Sequence, residues 1–179
     1  MPLSICVYCA SSDAIDGAFF DAARQLGGLI GRGGHTLIYG GGCIGLMGAL
    51  ALAVHEHGGR VVGVIPKSMV DKEYAYRDAD ELIVTDDIRQ RKAIMDRRAD
   101  AFVALPGGFG TLEELVEVLA HRQLRTHDRP VVIVNSNGFY DPLLSLFEHF
   151  IEQRFAKPRH RESYHVAADP AGALSFLET

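Results

Sequence analysis

The amino-acid sequence predicts an α/β fold built on a mostly parallel sheet. Three observations carry this. Short uncharged apolar runs, such as Ala101-Phe102-Val103-Ala104-Leu105 and Val131-Val132-Ile133-Val134, read as strands buried on both faces. Segments of helical period alternate with them along the whole sequence. Glycine-rich or small polar turns follow several strands, at the edge where such sheets gather their ligands. The 179 residues hold no repeat, linker or low-complexity stretch, so one domain is expected over 1–179.

The first strand is expected over 3–9, followed by the turn Ala10-Ser11-Ser12-Asp13. Phe19, Ala22, Ala23, Leu26 and Ile30 recur at helical spacing, and Gly31, Gly33 and Gly34 are expected to end that helix. A second strand over 36–39 runs into Gly40-Gly41-Gly42-Cys43-Ile44-Gly45 and an apolar helix over about 46–57. A third strand covers 60–65. Residues 67–80 show no period and read as a polar loop or short helix beside the second glycine turn.

A short strand over 81–84 leads to Asp86 and Asp87, which suit a helix start. On the helix that follows, over about 88–99, Ile88, Met95 and Ala99 mark the apolar stripe. The strand 101–105 stops at Pro106, which donates nothing to a ladder. Leu112, Leu115, Val116 and Leu119 then set a helix from near Thr111. After the turn His127-Asp128-Arg129-Pro130 come the strand 131–134, the loop Asn135-Ser136-Asn137-Gly138 and an amphipathic helix over about 140–154. Arg154, Lys157, Arg159, His160 and Arg161 form a basic patch, read either as solvated loop or as positive potential near a phosphate or a partner subunit. A last strand is expected over 163–167, with Asp169-Pro170 as N-cap and N1 of a terminal helix.

A formal net charge of −5 argues against a general nucleic-acid binder. No apolar run approaches the ~20 residues of a membrane span. Met1-Pro2-Leu3-Ser4 shows neither the basic region nor the cleavage site of a secretory signal. With an odd count of three cysteines, this fits a cytoplasmic protein in a reducing compartment. Cys6 and Cys9 stand three apart in a strand, so they face opposite ways and read as buried thiols, and no metal site is expected.

The richest stretch is Pro106-Gly107-Gly108-Phe109-Gly110-Thr111-Leu112-Glu113-Glu114. Strand, glycine turn and helix together aim backbone N–H groups at an anion, and glycine lets the backbone approach it closely. A phosphate ester is therefore the expected ligand, with Glu114, and less so Glu113, placed to do chemistry on it. The same residues also match a capping box, with Thr111 at N-cap and Glu114 at N3. The second turn formally satisfies G-x-G-x-x-G, but the next strand ends in Pro66-Lys67, where a dinucleotide fold needs an acid. Gly41 and Gly42 thus read as a phosphate cradle, or as a tight packing turn, rather than a nicotinamide or flavin site. Arg91 and Lys92 fall on the apolar stripe of their helix. A cation there meets an anion or snorkels to the rim.

With these residues placed, the chain resembles the LOG (Lonely Guy) family of cytokinin-activating phosphoribohydrolases, often labelled lysine decarboxylase-like. The resemblance covers nearly the whole chain. It rests on Ile5-Cys6-Val7-Tyr8-Cys9-Ala10-Ser11-Ser12, Tyr39-Gly40-Gly41-Gly42 with Gly45-Leu46-Met47-Gly48, Gly63-Val64-Ile65-Pro66, Arg91-Lys92 with Met95, and the signature from Pro106 to Glu114. It implies a Rossmann-like, doubly wound fold with helices on both faces, usually dimeric. It implies hydrolysis of N6-modified adenosine 5′-monophosphates to free base and ribose 5-phosphate, without a cofactor.

The resemblance maps the catalytic pair onto Arg91 and Glu114. It maps substrate contacts onto Glu73, Arg91, Lys92, Gly108, Phe109, Gly110, Thr111, Leu112, Glu113 and Glu114. Phosphate contacts are expected at Gly41, Gly42, Gly107, Gly108, Gly110 and Thr111. The chain departs from the family pattern at Ala10, Arg89 and Ala120-His121, and Ala120 removes a hydroxyl expected near the ligand. A nucleotide-binding sensor or carrier without turnover is the competing class, but a pure binder has no need of Glu114 beside Arg91. Lysine decarboxylation would need pyridoxal phosphate on a Schiff-base lysine. Of Lys67, Lys72, Lys92 and Lys157, three lie in loop-like stretches and Lys92 is the neighbour of Arg91.

Overall fold

The computed structural model describes residues 1–70, 72 and 74–179. Among them, β1 (Ser4–Tyr8), β2 (Thr36–Tyr39), β3 (Arg60–Pro66), β4 (Glu81–Thr85), β5 (Ala101–Ala104), β6 (Val131–Val134) and β7 (His165–Ala167) form one sheet. Its order is β4-β3-β2-β1-β5-β6-β7, and every neighbouring pair is parallel. The chain steps outward from β1 to β4, then crosses back to lay β5 on the free side of β1. The strand order reverses there, and a crevice opens beyond the tips of β1 and β5. The fold is Rossmann-like, as the resemblance implies.

Helices cover both faces. Side chains of α1 (Gly17–Arg32), α2 (Gly45–Glu56) and α7 (Pro170–Leu177) pack with Ile5, Val7, Leu37, Tyr39 and Val132 on one face. Those of α4 (Ile88–Arg98), α5 (Phe109–Gln123) and α6 (Asp141–Glu152) pack with Cys6, Tyr8, Ile38, Phe102 and Ile133 on the other. The period-two alternation of β1 decides this sorting. It sends Cys6 into one core and Cys9 into the other, both buried, as their spacing predicts.

Some boundaries differ from expectation for physical reasons. Helix α1 does not stop at Gly31 but runs to Arg32. A Cβ at Gly27 would lie 2.5 Å from the Leu50 carbonyl oxygen and one at Gly31 2.7 Å from that of Val54, so these two let α1 and α2 touch, while Gly33 as C-cap and Gly34 at positive φ end the helix as expected. The last strand starts at His165, because Pro158–Ser163 winds into a 3₁₀ segment. Ile88, expected on the buried stripe of α4, is 49 % exposed, whereas Met95 and Ala99 are buried.

The aperiodic stretch after β3 makes the short helix α3 (Lys67–Val70) and then a strap against the second glycine turn. Cys43 N–H donates to the Tyr74 carbonyl at 2.9 Å, Tyr76 N–H donates to the Gly41 carbonyl at 2.8 Å, and Ala75 bridges Gly42. Asp169 caps α7 by accepting from Gly172 N–H at 2.8 Å. No helix of the described residues is long and apolar enough to cross a membrane.

Candidate active site

Three turns meet over the crevice and are stitched by their own backbones. Ala10 N–H donates to the Pro106 carbonyl at 3.2 Å, and Leu46 N–H donates to the Ala10 carbonyl at 3.0 Å. Together they enclose a cavity of about 560 Å³. One part of its wall is small or polar, from Ser11, Ser12, Gly42, Gly108, Gly110 and Thr111. Another is apolar, from Met47, Ile65, Met69, Tyr74 and Ile88. Arg91 and Glu114 line the same space.

Helix α5 begins at Phe109, two residues earlier than expected, with Gly108 at N-cap and no side-chain cap. The capping-box reading is thereby corrected. Thr111 sits inside the first turn, buried, and Glu114 is not called back to the helix end. Gly108 can serve as N-cap because it needs no side chain to take up the extended φ/ψ there. The first intrahelical bond of α5 runs from Leu112 N–H to the Gly108 carbonyl, so the N–H groups of Phe109, Gly110 and Thr111 precede the helical ladder. A Cβ built on Gly108 or Gly110 meets no atom within 4 Å, so both present bare backbone to open space. Helix α2 likewise starts without a side-chain cap, at Gly45, beside Ser11 and Ser12. Two helix N-termini with their partial positive charge thus border one cavity.

Among the described residues, Glu114 is the carboxylic acid in the wall of this cavity. Burial raises its carboxyl from 4.5 to about 7, Arg91 opposes the rise and Glu113 adds to it. An acid poised there can hold or release a proton near neutral pH. The Arg91 guanidinium reaches the cavity past Gly40, where any Cβ would overlap it, and its Nε is buried without a hydrogen-bond partner among the described residues. A buried unpartnered donor beside an ionisable acid is costly, and an anionic or oxygen-rich ligand would relieve that cost.

The structure does not bring all the sequence-named residues to this cavity. Lys92 turns to α5, where it pairs with Glu113 and, at 2.9 Å, with Glu117. It lines a neighbouring hollow with Arg89, Asp96 and His121. Ala120 lies in an apolar groove between α5 and α6, away from the cavity. Glu73 lies outside the described residues. Gly42, Gly108, Phe109, Gly110, Thr111, Arg91 and Glu114 do converge, while Gly41, Gly107, Leu112 and Glu113 stand beside the cavity without lining it. Gly40, Ser11, Ser12 and Tyr74 join the wall although sequence reasoning did not name them as site residues. The turn at Ser11 and the glycine run were the available signals for three of them. Tyr74 sits in the aperiodic stretch expected beside the second glycine turn, and that placement was its signal.

Comparison with known proteins agrees with this architecture. The family described as possible lysine decarboxylase matches residues 47–177. The chain is 44 % identical over 174 residues to the probable cytokinin riboside 5′-monophosphate phosphoribohydrolase LOGL2 of Oryza sativa subsp. japonica, covering 97 % of this chain and 71 % of that protein. It is 42 % identical to the cytokinin riboside 5′-monophosphate phosphoribohydrolase LOG5 of Arabidopsis thaliana, covering 97 % and 76 %. The chain belongs to the LOG family. Among solved structures, the molybdenum cofactor carrier protein of Chlamydomonas reinhardtii shares its fold, with a TM-score of 0.75, 24 % identity and coverage of 99 % and 97 %. Among the described residues lining the cavity of this LOG-family chain, none is a lysine.

Proposed function

We propose that this protein hydrolyses the N-glycosidic bond of N6-modified adenosine 5′-monophosphates to free base and ribose 5-phosphate. The observation that carries the reading is Glu114, an acid raised to about 7 in a cavity bordered by two helix N-termini. The names of relatives at 42–44 % identity point to the same reaction. The 5′-phosphate would rest on the N–H groups at Gly42, Gly108, Gly110 and Thr111, with Gly41 and Gly107 shaping the two turns. That fixes C1′ against Glu114, and positioning of this kind supplies several kcal/mol of the barrier reduction.

As the C1′–N9 bond breaks, its electron pair leaves with the base and positive charge develops on the sugar. Ionised Glu114 stabilises that charge and takes a proton from the attacking water, whose oxygen bonds to C1′. The proton that Glu114 takes from the water passes on, directly or through solvent, to the departing base, which restores the carboxylate. Arg91 lowers the Glu114 pKa and holds a substrate oxygen. Lys92, Glu113 and Glu117 act from the flank of α5. The apolar wall receives the N6 substituent.

We further read the protein as a cytoplasmic homodimer. Val116, Phe150 and the 88 %-exposed Phe155 lie along the apolar groove between α5 and α6, which supports a covered face. The deciding experiment incubates the protein with isopentenyladenosine 5′-monophosphate. Equal amounts of free base and ribose 5-phosphate support the reading. Nucleotide that binds and is returned intact identifies a carrier instead.

A further inference from the structure

We propose that Tyr76 is a positioning residue for nucleotide binding, held by a His55–Asp80 relay so that the strap of residues 74–80 presents Tyr74 to the nucleobase. The inference rests on the reading of the cavity as a nucleotide site. It starts from a chain of side chains that the proposed reaction does not use. His55 Nε2 lies 3.0 Å from Asp80 Oδ2, and His55 Nδ1 lies 2.9 Å from the Tyr76 hydroxyl. Asp80 Oδ2 also accepts Val61 N–H at 2.8 Å, which fixes the carboxylate against β3. An ionised carboxylate only accepts, so His55 donates from Nε2 to Asp80, and Nδ1 of that tautomer is left to accept from Tyr76. The order of donors is therefore Tyr76 to His55 to Asp80.

The relay ties three elements together. His55 is on α2, Tyr76 and Asp80 are both on the strap, and Asp80 reaches β3 through Val61 N–H. The strap is pinned at its near end by the backbone bonds of Tyr74 and Tyr76 to the second glycine turn. Tyr74 then stands 44 % exposed in the apolar wall of the cavity. An aromatic face there is placed to stack on a planar base, whereas the first turn of α5, at Gly108, Gly110 and Thr111, offers the sugar phosphate its N–H groups. The relay thus bears on the base and leaves the phosphate subsite to the helix N-termini.

The test compares affinities for two ligands, isopentenyladenosine 5′-monophosphate and ribose 5-phosphate, which lacks the base. They are measured by calorimetry in the Glu114→Gln background, so that the nucleotide survives. Tyr76→Phe, which removes one hydroxyl, and His55→Ala are each expected to weaken nucleotide binding about three- to tenfold, the effect of one lost hydrogen bond. The double variant loses no more than either alone, because the residues act as one chain. Tyr74→Ala weakens the nucleotide as much or more, and Tyr76→Phe then adds nothing. Ribose 5-phosphate affinity is unchanged throughout, and Tm moves by less than about 4 °C.

Equal weakening of both ligands would show general loosening of the glycine turn and overturn the proposal, as would unchanged nucleotide affinity in Tyr76→Phe. Failure of the hydrolytic reading is separate. It appears as a wild-type protein that binds the nucleotide without releasing base, and the affinity ratios still decide the role of Tyr76. A protein that binds neither ligand overturns both.

Discussion

Gly40 leaves the space that the guanidinium of Arg91 occupies. A Cβ on Gly40 would overlap Nη2 of Arg91 and lie 3.0 Å from its Cζ and 3.1 Å from Sδ of Met47. What it meets is the far end of two flexible side chains, so the fold can absorb an alanine by moving them. The site cannot absorb it equally well, because the guanidinium is displaced from its place near Glu114. Gly40→Ala is expected to fold with a Tm within a few degrees of the parent and to lose about 10²-fold or more in kcat, the usual penalty for a misplaced catalytic group. Thermal unfolding and base-release kinetics on one preparation check both halves. A variant that keeps its kcat would remove Arg91 from the reaction.

Glu114 trades stability for chemistry. Its folded pKa of about 7 stands above the reference value of 4.5, so the native state binds more protons than the unfolded state between those two values. Stability from this group is therefore full below pH 4.5 and falls as pH rises towards 7. Glu114→Gln removes the penalty of burying the ionised form. Above pH 7 the variant should be more stable by on the order of 1–3 kcal/mol, and below pH 5 the gain should vanish. It should bind nucleotide and release no base. Denaturant melts at pH 5 and pH 8 measure the first claim, and product analysis measures the second.

The rate should follow the same ionisation. If Glu114 acts as the carboxylate, kcat/KM of the free enzyme climbs through about pH 7 and levels above it. Arg91 favours the ionised form, so its removal lets burial act with less opposition and the limb moves to higher pH. Arg91→Met should therefore show both a lower plateau and a limb displaced upward. A limb that stays put while the plateau falls would mean that Arg91 touches substrate without tuning the acid.

Much of this arrangement was legible in the sequence, and the exceptions have a common cause. The alternation of strands and helices, the opposed placement of Cys6 and Cys9, and the turns at Gly42 and Gly108 all follow from local period and turn chemistry. The missed features depend on partners far away in the chain. Gly31 looked like a helix stop until α2 was packed against it. Thr111 and Glu114 matched a cap because their spacing fits one, yet Gly108 takes the N-cap position. Lys92 falls on an inward face that calls for an anion or a route to the rim, and the anions beside it are Glu113 and Glu117, on a helix the local sequence does not place against it. The strap at Tyr74 has no period, because its backbone bonds divide between Met69 of α3 and the second glycine turn instead of repeating along a helix or a sheet ladder.

The signature turn offers a last test, since its glycines differ in what they face. Gly108 opens on empty space, whereas a Cβ on Gly107 would overlap Oγ1 of Thr111 and lie 2.5 Å from its Cβ and 2.8 Å from its Cγ2. Thr111 is buried in the first turn of α5, and turning its χ1 does not move the Cβ that lies 2.5 Å away, so the backbone must shift instead. Gly107→Ala is expected to cost about 1–3 kcal/mol of stability, as overpacking does, and to weaken phosphate binding by moving the first N–H groups of α5. Pairing it with Thr111→Ser removes the Cγ2 clash and should recover part of both losses. Gly108→Ala has room for its methyl group and should instead leave stability nearly unchanged while obstructing the approach of the phosphate. Ribose 5-phosphate affinity and denaturant midpoints of these variants separate the two glycines. Equal destabilisation by both alanines would mean that the turn is built for packing rather than for an anion.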